Sequence, residues 1–78
     1  MKLRAIHFDA EDGTATSVDV RLSLDEAALI GRLVGKLTCT ASAAIVPVPC
    51  GAHHDIYDCL AGEVFNRLYD DGIDGYRP

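Results

Sequence analysis

Seventy-eight residues are too few for two independent cores. A chain this short barely breaks even on folding, so one domain (residues 1–78) helped by a disulfide, a metal or a second subunit is expected. An apolar fraction of 49% against 24% charged residues argues against disorder and against a fibrous chain. The formal charge is −5 and the seven basic residues stand singly along the chain, so direct nucleic-acid binding, which needs a basic surface, is set aside.

In chain order, Met1-Lys2-Leu3-Arg4 leads straight into a patterned segment without the apolar run of a secretion signal. The longest uncharged stretch, 37–54, is interrupted by Pro47 and Pro49 and is unlike a membrane span. A cytoplasmic protein without membrane contact is expected. The segment 2–8 and the alternation Thr16, Val18, Val20, Leu22 against Ser17, Asp19, Arg21 predict a hairpin closed by the turn Asp9-Ala10-Glu11-Asp12-Gly13, with one face buried. Ser23-Leu24-Asp25-Glu26 reads as a capping box opening a helix at Leu24. On that helix Ile30, Leu33, Val34 and Leu37 recur at helical spacing, and Asp25, Arg32 and Lys36 share a polar strip. Gly31 and Gly35, beside Ala28, either admit a close neighbour or, at Gly35, end the helix.

Ala43–Val46 is apolar but followed by prolines, which predicts a short edge strand or a packed loop. A second helix is expected from His53 or Asp55 to Asp71, ending in a Schellman-type stop at Gly72 with Ile73 against Leu68. Residues 74–78 read as a flexible tail. The whole predicts an α+β domain of order ββα(β)α, a small antiparallel sheet packed on two helices.

Chemistry-bearing residues concentrate in Cys50-Gly51-Ala52-His53-His54-Asp55, followed by Asp58 and Cys59. The Cys50/His53 spacing and the His54/Asp58 pair suit a metal, but no second closely spaced ligand pair accompanies them, and no metal or other cofactor is expected. A Cys50/His nucleophile would lack an oxyanion site and a cleft. Asp70 and Asp71 read as a solvated helix end. With no secretion signal and an odd cysteine count, Cys39, Cys50 and Cys59 are expected as three free thiols.

The order of strand, Leu22-Ser23-Leu24-Asp25-Glu26 helix start, proline loop, then Ile56-Tyr57-Asp58-Cys59-Leu60 through Phe65 to Gly72 resembles small uncharacterised proteins of actinobacteria and their phages. That resemblance implies a phage or mobile-element origin and brings no catalytic residues. Such proteins commonly bind and block a host protein or sequester a nucleotide signal of host defence. The sequence therefore points to a non-enzymatic binding protein that inhibits a host protein. The alternatives are an oligomeric sponge holding a nucleotide with Tyr69, Tyr76 and Arg77, or a small metal-dependent enzyme. The apolar arc of the second helix is too wide for one layer of core, which predicts a homo-oligomer, most simply a dimer, joined through Tyr57, Phe65 and Tyr69 and the Ala28/Gly31/Gly35 edge.

Overall fold

A hairpin of β1 (Lys2–Phe8) and β2 (Ala15–Arg21) opens the computed structural model, which describes all 78 residues. Its turn is built as the sequence requires: Gly13 takes a φ of 74°, and the Asp9 carboxylate accepts from the Glu11 amide at 2.7 Å. Asp12 accepts from the Thr14 amide at 2.8 Å. The register places Leu3 opposite Val20 and Ile6 opposite Val18, with irregularities between Leu3 and Ala5 and between His7 and Phe8. On the other face His7 pairs with Asp19 at 2.8 Å.

The capping box forms at the start of α1 (Leu24–Gly35): Ser23 Oγ accepts from the Glu26 amide at 3.1 Å and Glu26 Oε1 from the Ser23 amide at 2.9 Å. The same carboxylate takes the Met1 amino group, tying the root of the hairpin to the helix. The side of α1 that faces the core is its small-residue side, Ala27, Ala28 and Gly31, while Leu29 and Leu33 are exposed. Small residues win because α1 is approached closely: a methyl group on Gly31 would lie 2.7 Å from Ile73 Cδ1, and one on Gly35 2.6 Å from Tyr57 Cε1.

Four expectations are corrected here. Ala43–Val46 is not a strand. Thr38 Oγ1 accepts from the Ala41 amide at 3.0 Å and caps a short helix, α2 (Cys39–Ile45), so alanine helix propensity prevails and the sheet has only two strands. The next helix starts earlier than expected, as α3 (Cys50–Tyr57) directly after Pro49. It continues as a π-helical stretch, Asp58–Phe65, and a last turn, α4 (Asn66–Leu68). Its end is not a Schellman stop at Gly72, because Tyr69 is already extended (φ −135°, ψ 143°). Gly72, with φ 64°, instead opens a 3-10 turn, Gly72–Gly75. Residues 74–78 are not a loose tail either: Tyr76 is buried, and Arg32 Nη2 donates to the carbonyls of Ile73 at 3.0 Å and Tyr76 at 2.9 Å.

The π stretch accounts for the over-wide apolar arc. Bonding from i to i+5 brings residues four and five apart into line, so Ala61 and Phe65 are buried and Leu60, Val64 and Tyr69 half-buried on one side of the helix. The core is Ala27, Ala28, Phe65 and Tyr76, ringed by Leu22, Leu60, Val64, Tyr69 and Ile73. Cys39 and Cys50 are joined by a disulfide across 11 residues with Cα atoms 5.5 Å apart, leaving Cys59 as the free thiol. The expectation of three thiols is thus overturned, because α2 folds back on α3. No single helix is long and apolar enough to cross a membrane.

Candidate functional site

The hairpin is an arm. Its strands pair with each other and stand off from the helices, giving extents of 44 × 29 × 17 Å and a radius of gyration of 14.4 Å, against about 11.5 Å for a compact domain of this length. The expected buried face of the hairpin is therefore uncovered. Leu3, Ile6, Val18 and Val20 form two directly opposed apolar pairs, and all four are exposed, Val18 to 59%. Phe8, near the far end, is 61% exposed. Two strands and a thin helical layer cannot close over this face, and the missing third strand is the segment that became α2.

At the root of the arm its apolar side runs into a groove of about 500 Å³. Val18 and Val20 of the arm line it together with Leu22, Ile30, Ile56 and Leu60, with Asp55 the only charged side chain. Met1 also lines it, and its amino group is held by Glu26. That contact, with the Ser23 bonds, holds the Glu26 carboxyl down at about 2. The Thr14 amide and hydroxyl likewise hold the Asp12 carboxyl below the usual range at the opposite end of the arm.

The residues singled out from sequence lie elsewhere. Phe65 is fully buried, Tyr69 stacks on it with centroids 6.2 Å apart, and Tyr76 meets it edge-on at 5.8 Å. These three aromatics come together as the centre of the core and cannot form a docking surface. Arg77 Nη1 is engaged with the carbonyls of Asp74 and Tyr76. Tyr57, at 39% exposed and packed against Gly35, and Arg77 remain open to solvent. The expected dimer edge Ala28/Gly31/Gly35 is likewise occupied within the chain, by Leu60, Ile73 and Tyr57. His53 and His54 sit edge to face, 5.8 Å apart, and no three metal-capable side chains converge with them. Asp70 and Asp71 are exposed.

The arm residues Leu3, Ile6, Phe8, Val18 and Val20 were legible as apolar but not as available. The signal was the ratio of elements to apolar faces: one hairpin face and two helices are more than so short a chain can bury mutually. No family model, curated protein or solved structure matches the chain.

Proposed function

We propose that this chain is a non-enzymatic protein-binding module that engages another protein with the apolar side of its hairpin arm and the groove at its root. The observation that supports this is the set of exposed apolar side chains along the arm, Leu3, Ile6, Phe8, Val18 and Val20, together with the groove that Val18 and Val20 share with Ile56 and Leu60, of the kind that marks interaction sites in folded proteins. In its biological setting we take it to be a phage- or mobile-element-encoded inhibitor of a host protein. Binding needs no catalytic group, and an acidic chain with a sticky arm blocks a partner simply by covering it.

The test uses the full chain immobilised beside its Val18→Asp variant. The wild type is expected to retain one protein at near-stoichiometric yield that the variant loses. Identical recoveries from both would refute the reading.

A second reading, capture of a nucleotide signal, has one observation in its favour. A groove of about 390 Å³ along α1 brings Arg32 and Lys36 together beside Leu29, with Asp25 also lining it, and the two cations suit a phosphate group. Thermal stabilisation by cyclic or ADP-ribose-type nucleotides, lost in Lys36→Glu, would support it.

A further inference from the structure

We propose that the occupant of the arm is the arm of a second copy of this chain, laid antiparallel across it about a two-fold axis with the apolar sides together. The pairing rests on the reading of the arm as a binding surface and names its partner.

Shape is the first argument. The arm carries its largest exposed side chain, Phe8, near the far end and its groove at the root, separated by the seven residues of a strand, about 23 Å. An antiparallel two-fold partner has the same separation reversed. The partner's Phe8 then reaches the groove between Leu22, Ile30, Ile56 and Leu60, while Ile6 and Val18 of each copy meet Leu3 and Val20 of the other about the axis. Knob and hole on one element, spaced for each other, form the self-complementary patch that a two-fold interface requires.

Charge is the second. Lys2 and Arg21 stand opposite each other on the face that carries the His7–Asp19 pair, one residue out of step with Leu3 and Val20. Laying the apolar sides together therefore leaves these cations in water and buries no unpaired charge.

Area is the third. The five arm residues with Met1 and Ile56 expose apolar surface on the order of 600 Å², the upper end of what a monomer's largest patch shows. The two copies together would bury about 1,200 Å², the threshold of a specific interface. A second copy is also the one partner present whenever the chain is, and a chain with so small a core needs its cover from the moment it folds.

Sedimentation equilibrium of the full chain at low ionic strength tests this, with far-UV circular dichroism confirming that each variant stays folded. The wild type is expected as a reversible dimer, and Phe8→Ala should weaken it about a hundred-fold. A wild type that stays monomeric, or a Phe8→Ala variant that dimerises as tightly as wild type, overturns the pairing. If the monomeric chain still retains a partner that Val18→Asp loses, self-pairing falls and the binding reading stands. If Val18→Asp changes neither mass nor retention, both fall.

Discussion

Phe65→Ala is expected to remove much of the stability of the domain. Phe65 has no exposed surface; it packs against Ala27, Ala28 and Tyr76 and stacks with Tyr69. Truncating a buried phenylalanine costs about 3–5 kcal/mol in transfer and cavity terms. The two aromatic contacts, about 0.5–1.5 kcal/mol each beyond area, place this site toward the upper end. A chain of this length has on the order of 4–12 kcal/mol in total, so the variant should lose about half of its stability or more. Phe65→Leu, which keeps most of the volume, should lose only about 1–2 kcal/mol. Urea titration followed by circular dichroism and tyrosine fluorescence, at one fixed protein concentration because dimerisation adds stability, measures both. A Phe65→Ala loss below about 1 kcal/mol, or an effect on mass with no effect on stability, would refute the core position of this ring and return it to an interface.

Other perturbations separate the remaining supports. Arg32→Met removes two charge-assisted bonds to the Ile73 and Tyr76 carbonyls and the stacking on the Tyr76 ring at 5.6 Å. It should cost about 2–3 kcal/mol and speed amide exchange at Tyr76; unchanged exchange there would contradict the docking of residues 72–76. The Glu26 carboxyl is lowered from 4.5 to about 2, so its contribution is complete above about pH 4.5 and is lost as pH falls toward 2. The difference in urea midpoint between wild type and Glu26→Gln should therefore shrink over that window, and a difference constant with pH would count against the Met1–Glu26 contact. Thiol titration of unfolded, unreduced protein should find Cys59 alone. Reduction should destabilise the chain by about 3 kcal/mol for a loop of 11 residues' separation. Three reactive thiols without reductant would show the α2–α3 staple to be absent.

What the sequence made legible is whatever is written in local chemistry. Asp12-Gly13 demands a positive φ, Ser23 and Glu26 can close on each other across three residues, and alternation from Thr16 to Leu22 leaves no choice but a strand. Ala43–Val46 was ambiguous because four small or branched apolar residues before a proline suit either element. Thr38 decides the matter from outside the segment by capping. The π stretch has no sequence signature, since i to i+5 bonding is imposed by the fit of Phe65 and Ala61 against α1. Tyr57, Phe65 and Tyr69 looked like surplus apolar surface on a helix wound at the usual pitch. Rewinding turns Phe65 and Tyr69 inward, and the C-terminal turn brings Tyr76 to them. The surplus shifts to the hairpin, whose alternating return strand was correctly read but assigned a cover that the chain does not possess.

The mass of the chain in solution tests the central claim most directly. Light scattering over a dilution series should give twice the 8.4 kDa of one chain at high concentration, falling toward 8.4 kDa on dilution, and Phe8→Ala should stay at the lower value throughout. A single 8.4 kDa species at every concentration, the same for wild type and Phe8→Ala, would contradict an arm that pairs with its own copy.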